Sequence, residues 1–278
     1  MIITSVYIFA ASLFAGLLGA MLGLGGGIII IPFLTLLLKI DIRYAIGASI
    51  ISVIATSSGA AAAYVRDRIT NVRIAMFLEI ATTAGALTGA FITGLLNPKY
   101  LYILFGALLL YSALIMYKKK NNPEIIKDVP CNPISDKLGL RGCYYDKSLG
   151  KYVEYNAAGV IPGFIMMYVA GVISGLLGIG SGVFKVIAMD VFMKLPMKVS
   201  TATSNFMIGV TAAASSLIYF SRGNVRPDIA APVAIGVLIG STIGSKIMER
   251  LKSRTLRMIF VFVLIYISIQ MIIKGLSL

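Results

Sequence analysis

Long stretches of this chain carry no charged side chain at all, among them residues 1–38, 44–65, 100–117, 155–184, 199–221 and 258–273. An apolar run of about 18 residues or more is long enough to cross a bilayer as a helix. In hydrocarbon every backbone amide must find its partner within the protein, so such runs fold as helices when they span. Of the 278 residues 58% are hydrophobic and 13% charged, where a soluble domain is about half apolar and a quarter charged. The chain is therefore expected to be an all-α polytopic membrane protein. The N-terminus has no basic region ahead of its apolar run, and the run outlasts a signal sequence, so residues 3–22 are expected to be the first span.

The chain repeats itself at a displacement of 155 residues. Gly23, Gly25 and Gly27 fall on Gly178, Gly180 and Gly182, Lys39 on Lys194, Ser49 on Ser204, Thr56 on Thr211, Tyr64 on Tyr219, and Gly85 and Gly89 on Gly240 and Gly244. A shared G-x-G-x-G at one distance from a lysine points to duplication. Each half reads as a span, a glycine-rich turn, a short apolar helix and three further spans. The segments are about 3–22, 28–38, 44–65, 74–96 and 100–117, then 157–177, 183–193, 199–220, 229–247 and 257–274. At 1.5 Å per residue, an 11-residue helix covers little over half of a ~30 Å hydrocarbon core, so 28–38 and 183–193 are expected to be broken or re-entrant. Five segments are an odd number, so the second repeat should be inverted relative to the first. The division is 1–117 for the first membrane repeat, 118–156 for a polar central loop and 157–278 for the second repeat.

The net charge of +14 fits basic residues gathered in loops rather than a nucleic-acid surface, since no soluble basic patch with interleaved aromatics is present. Of the 25 Lys and Arg, 17 fall on the side that holds the central loop. The positive-inside rule makes that side cytoplasmic and puts both termini outside. Within the loop, "CYYDKSLGKYVEY" (143–155) alternates well enough for a β-hairpin about Ser148-Leu149-Gly150. Cys131 and Cys143 lie in the same loop and should be thiols if it is cytoplasmic; whether they pair is open. There is no histidine, which removes imidazole from any proton route or metal site. No cofactor or metal is expected.

The two turns, "AMLGLGGGIII" (20–30) and "GLLGIGSGVFK" (175–185), hold most of the functional signal. Glycine in a helix interior costs roughly 1 kcal/mol against alanine, and backbone freed at membrane depth must line a cavity or be buried in protein. Close helix packing is one use of such glycines. The other is a site: a new helix starting at a break aims free N–H groups and a positive dipole end into the gap. Two breaks in inverted repeats meet where a secondary transporter holds its substrate, and they favour an anion. Lys185 lies inside the second short helix, where the first repeat has Ile30. A charge inside a span marks function by default, with an ion pair to Asp190 or Glu79 as the plain alternative. Those two acids are also the candidates to carry a coupling proton. "STATSNFMIGVTAAASS" (200–216) adds Thr203, Ser204 and Asn205 as hydrogen-bond donors to an oxyanion, opposite Ser49 in the first repeat. The candidate substrate site is Gly23, Gly25, Gly26, Gly27, Ser49, Gly178, Gly180, Ser181, Gly182, Lys185, Thr203, Ser204 and Asn205.

At "GLGGGIIIIP" (23–32), "GIGSGVFKV" (178–186) and "ATSNFMIGVTAAAS" (202–215) the sequence resembles the sulfite exporter TauE/SafE family, also called the toluene sulfonate uptake permease family. The likeness runs from about Leu13 to Tyr219 and more weakly beyond. The resemblance implies a secondary transporter of sulfur-containing anions such as sulfite, thiosulfate or organosulfonates. Two positions depart from the family pattern: Ser181 stands where glycine is usual, and Pro32 has Ile187 as its counterpart.

A secondary anion transporter working by alternating access is thus the leading reading. No P-loop is present, since "GLGGG" follows no strand and lacks the Gly-Lys-Ser/Thr ending, so an ion gradient is the expected drive. A passive anion channel would share the site but show no counterflow. A membrane enzyme would need a nucleophile–base or metal cluster that the residues do not offer, and Lys185 opposes a cation carrier. "GALTG" (85–89) and "GSTIG" (240–244) are G-x-x-x-G patterns that pack helices within one subunit or between the two of a homodimer.

Overall fold

The computed structural model describes residues 2–22, 25–118, 133–146, 150–248 and 253–277. The first repeat contains α1 (Ile2–Leu22), α2 (Gly27–Pro32, continued by a π-helical turn, Phe33–Leu37), α3 (Ile42–Arg66), α4 (Val72–Thr93) and α5 (Pro98–Lys118). The second contains α7 (Val160–Leu177), α8 (Gly182–Ile187, continued by a π turn, Ala188–Phe192), α9 (Met197–Ser221), α10 (Pro227–Met248) and α11 (Ser253–Leu276). Between them lie a short helix, α6 (Pro133–Leu138), and a hairpin of β1 (Arg141–Asp146) and β2 (Lys151–Asn156). The chain is a multi-pass helical membrane protein. Four described helices, α3, α4, α7 and α10, are long and apolar enough to cross a bilayer, and large apolar side chains such as Ile80, Leu217 and Phe262 stand exposed on the bundle's outside.

The 155-residue displacement carries nearly every boundary of the first repeat onto the second. It also carries specific bonds. Tyr64 donates to the Ala20 carbonyl at 3.1 Å and Tyr219 to the Gly175 carbonyl at 2.6 Å. Lys39 and Lys194 both take the left-handed conformation that ends the π turn, at φ 54° and 56°. Each π turn occurs whether its preceding residue is Pro32 or Ile187, so proline is not its cause.

Helix directions follow from who faces whom. Gly236, Gly240 and Gly244 of α10 lie against Phe9, Leu13 and Leu17 of α1, so these two helices run parallel. Gly85 and Gly89 of α4 lie against Tyr168 and Val172 of α7, again parallel. By contrast, Ser57 of α3 meets Asn205 of α9 while Gly47 meets Asn224, an antiparallel crossing. Gly106 of α5 meets Ser268 while Gly275 meets Ile103, antiparallel too. Only inverted repeats give parallel contacts for α1–α10 and α4–α7 together with antiparallel contacts for α3–α9 and α5–α11. The start of α1 and the end of α11 then share one end of the bundle, and the end of α5 and the start of α7 lie at the other.

The two G-x-x-x-G patterns thus pack helices within the subunit. A Cβ at Gly240 would stand 2.0 Å from the Leu13 carbonyl oxygen, and one at Gly85 would stand 2.3 Å from that of Tyr168. Only glycine permits helix backbones this close, and close approach is what stabilises helix pairs without a hydrophobic drive between them.

The hairpin appears where the alternation placed it, with its turn residues 147–149 outside the described residues. It caps one end of the bundle. Lys198, in the first turn of α9, reaches Asp146 at 2.7 Å, both side chains buried. Asn71 caps α4 by accepting from the Ile74 amide and donates to the Tyr155 hydroxyl at 3.1 Å. Burial holds the Tyr155 phenol above its usual range, so it remains a neutral hydroxyl partner. Leu140 and Ala157 complete the contact by joining Ile74, Leu78, Met189 and Met193 in one buried apolar cluster.

Candidate functional site

The first break folds the chain back on itself. Backbone atoms of Gly25 and Gly26 lie where a Cβ at Gly19 would be, at 2.7 Å. Gly25 has φ 73° and its counterpart Gly180 has φ 72°, a conformation that side chains other than glycine rarely adopt. The turns then differ at the next position. Gly26 is right-handed, whereas Ser181 is left-handed at φ 50°. Among the described residues of the two turns, Ser181 thus marks a position where the second departs in shape from the first.

The two breaks touch. A Cβ at Gly27 would meet the Ile179 Cα at 3.2 Å and the Gly178 carbonyl oxygen at 3.3 Å. Ser49 donates to that same Gly178 carbonyl at 2.6 Å, tying α3 of the first repeat to the break of the second. Its counterpart Ser204 donates to the Gly182 carbonyl at 3.3 Å. Val53 and Ile208 close over both turns, packing against Gly25 and Gly180. The Gly26 amide is taken by Thr56 at 3.2 Å. The site is sealed from solvent in this conformation: Ser49, Ser181, Lys185, Thr203, Ser204 and Asn205 are all fully buried.

Lys185 lies one turn into α8, and its ammonium donates to the Thr211 hydroxyl on α9. Thr211 donates to Glu79 Oε1 at 2.6 Å, and Thr83 does so at 3.1 Å. Glu79 Oε2 stands 3.6 Å from the Lys185 nitrogen, an ion pair longer than a hydrogen bond, and has no hydrogen-bond partner. Glu79 sits seven residues into α4, so the pair lies about 10 Å below the end capped by the hairpin. The network bridges the two repeats and has no symmetric counterpart, since the residues matching Lys185 and Glu79 are Ile30 and Ala234.

The remaining candidates separate. Thr203 accepts from the Asn71 amide at 3.1 Å and so serves the junction of α9 with α4. The Asn205 side-chain amide donates to the Ala20 carbonyl at 2.9 Å, at the end of α1, and its Oδ1 is buried without a hydrogen-bond partner. The Ser181 hydroxyl is likewise buried and unpartnered. Asp190 lies in the π turn ending α8, partly exposed, and it is Glu79 that pairs with Lys185. Gly23 lies outside the described residues. Sequence reasoning did not place Thr211, Thr56, Tyr64 or Tyr219 in the site. Their signal was present as polar matches at the repeat displacement, in positions where apolar residues would pack equally well.

No group of three or more Cys, Asp or Glu able to hold a metal ion occurs among the described residues. Comparison with known proteins completes the description. The family model of the sulfite exporter TauE/SafE family matches residues 8–271. The chain is 29% identical over 272 residues to the probable membrane transporter protein YunE of Bacillus subtilis, covering 95% of each chain. It is 25% identical over 210 residues to the probable membrane transporter protein YdhB of the same organism, covering 76% of each. A probable membrane transporter protein of Methanocaldococcus jannaschii is 24% identical over 212 residues, covering 74% of this chain and 68% of its own. No solved structure matches the chain. The chain belongs to the sulfite exporter TauE/SafE family.

Proposed function

As a member of that family the chain is a membrane transporter, and we propose that it moves a small sulfur-containing anion by alternating access about the two breaks. The observation that carries this reading is the direct contact of two glycine-rich breaks from inverted repeats, with a fully buried lysine one turn into one of them. In the substrate-bound state the breaks separate enough to admit an oxyanion. Backbone amides from the turns and the hydroxyl of Ser181 donate to it, and Lys185 supplies the opposing charge. Uncommitted donors suit this role, because a buried donor without a partner costs about 1–3 kcal/mol until something accepts from it. Ser49, Ser204 and Asn205 position the breaks by holding the carbonyls of Gly178, Gly182 and Ala20.

Glu79 is the proposed coupling group. It shares Thr211 with Lys185 and offers one oxygen free of hydrogen bonds. An anion arriving at Lys185 competes with Glu79 for the ammonium, and protonation of Glu79 releases the lysine to the substrate. This makes anion movement depend on a proton gradient, the Lys-and-Arg-rich end with its hairpin facing the cytoplasm.

Uptake of sulfite, thiosulfate, sulfate and a small sulfonate into proteoliposomes, with and without an imposed proton gradient, tests the reading. Saturable flux of one sulfur anion that responds to the gradient is expected. Saturable flux blind to the gradient and without counterflow would instead make the protein an anion channel. No flux of any of the four anions would withdraw the sulfur substrate class.

A further inference from the structure

Outside the breaks, the described surface holds a cavity of about 430 Å³ between the first turn of α4, the end of α6 and the start of β1, lined by Arg73, Lys137, Leu138, Gly139 and Arg141. Three of its five lining residues are cations and none is an acid. None of the three makes an ion pair among the described residues, whereas Arg66, Lys185, Lys198 and Arg226 all do. The cavity is shaped around one of them. Gly139 has φ 62°, and a Cβ there would stand 2.8 Å from Arg73 Nη1. Any larger residue would push the guanidinium out. Holding unpaired like charges together costs energy unless an anion joins them.

We propose that this cavity binds the phosphate headgroup of an anionic phospholipid. Its place in the fold favours lipid over a free anion. Arg73 is the second residue of α4, at the end of a membrane-crossing helix. Met76 and Ile80 lie three and seven residues further on and so share its helix face; they are 60% and 69% exposed. A phosphate seated at Arg73, Lys137 and Arg141 therefore has its acyl chains along an exposed apolar stripe running into the bilayer. Leu138, also exposed, covers the glycerol level. A basic recess at the membrane interface with lipid-facing hydrophobics below it is how headgroups are held. The site docks α6 and β1, and through them the hairpin, to α4. It rests on the chain's membrane setting and is independent of the transported substrate.

The full-length protein, purified in mild detergent, is to be titrated with phosphatidylglycerol, phosphatidylcholine or inorganic phosphate. Lipid retention is read by native mass spectrometry and stability by thermal unfolding. Phosphatidylglycerol is expected to be retained and to raise the midpoint, and phosphatidylcholine to do neither. Each charge removed should weaken phosphatidylglycerol binding about five-fold, so Arg73→Gln/Arg141→Gln should weaken it roughly 25-fold. Equal retention of the two lipids, or unchanged retention by the double variant, overturns the proposal. Stabilisation by inorganic phosphate equal to that by phosphatidylglycerol overturns the lipid assignment in favour of a free-anion site. Should the double variant not fold, Lys137→Gln, at an exposed position, decides on the same readout.

Discussion

Replacing Lys185 by methionine keeps the length of the side chain and deletes its charge, which isolates the ion pair from packing. At 3.6 Å two unit charges attract by about 5 kcal/mol at an effective dielectric constant of about 20. Much of that is spent on desolvation, and stranding one partner of a buried pair costs about 3–5 kcal/mol. Glu79 keeps the hydroxyls of Thr211 and Thr83, which places Lys185→Met at the lower end, about 3 kcal/mol. With a shift of roughly 2–4 °C per kcal/mol for a chain of this size, the unfolding midpoint should fall by about 6–12 °C. Glu79→Gln strands the lysine and should cost at least as much. The double variant Lys185→Met/Glu79→Gln removes both charges and should recover to within about 1 kcal/mol of the wild type, since a neutral, well-packed replacement of a buried pair is often tolerated. Thermal unfolding of the four proteins in one detergent gives the coupling energy. A coupling below about 0.5 kcal/mol would refute the ion pair as a structural unit. The same four proteins separate structure from function in the flux assay. The recovered double variant should carry no gradient-dependent anion flux, and wild-type flux from it would leave the pair a purely structural role.

Three further outcomes are expected. Gly85→Ala and Gly240→Ala, equivalent positions in the two repeats, should each destabilise by about 1–3 kcal/mol, because the new methyl meets a carbonyl oxygen at 2.3 and 2.0 Å and the helices must part; Gly150→Asn, in open space at φ 65°, should be nearly neutral by the same thermal assay. Asp146→Ala removes the buried partner of Lys198 at 2.7 Å and should loosen the hairpin, read as faster tryptic cleavage at Lys147 or Lys151 in otherwise folded protein; an unchanged cleavage rate counts against the ion pair as the hairpin's anchor. In a Cys131→Ser background, exposed Cys143 should react with a membrane-impermeant maleimide in inside-out vesicles and not in right-side-out ones, and the opposite pattern reverses the proposed orientation.

Much of the architecture was legible because membrane helices leave few choices. Charge-free runs set the spans, and a gapless displacement of 155 residues set the duplication. An odd number of segments per repeat set the inversion, which the antiparallel crossing of α3 and α9 displays. The π turns were not legible, since Phe33–Leu37 and Ala188–Phe192 share no residue type that marks one. Lys185 was legible as a charge where none belongs, but its partner was not. Asp190, five residues along the same helix, and Glu79, more than a hundred residues away, were equal candidates by composition. The choice between them depends on how α8 packs against α4 and α9, which no local pattern reports. Thr203 shows the converse limit. It sits in the same polar run as Ser204 and Asn205, yet its helix position turns it toward the cap of α4.

The symmetry of this scaffold and the asymmetry of its chemistry need each other. Under the proposed alternating access, inverted repeats would give two conformations of similar energy, each half adopting the arrangement the other now holds. The paired bonds of Tyr64 and Tyr219 and the paired close contacts of Gly85 and Gly240 are present in both halves at once and so do not tip that balance. Lys185, Glu79 and Ser181 do not have that property; their counterparts are Ile30, Ala234 and Gly26. A charged pair that bridges the repeats without a symmetric counterpart would change energy when the halves exchange arrangements, by up to the few kcal/mol it is worth. An empty carrier would then rest on the side where the pair is sealed. Only an anion, a proton or both, taking the place of one partner, would release it, and that is the condition for movement coupled to a gradient rather than idle rocking.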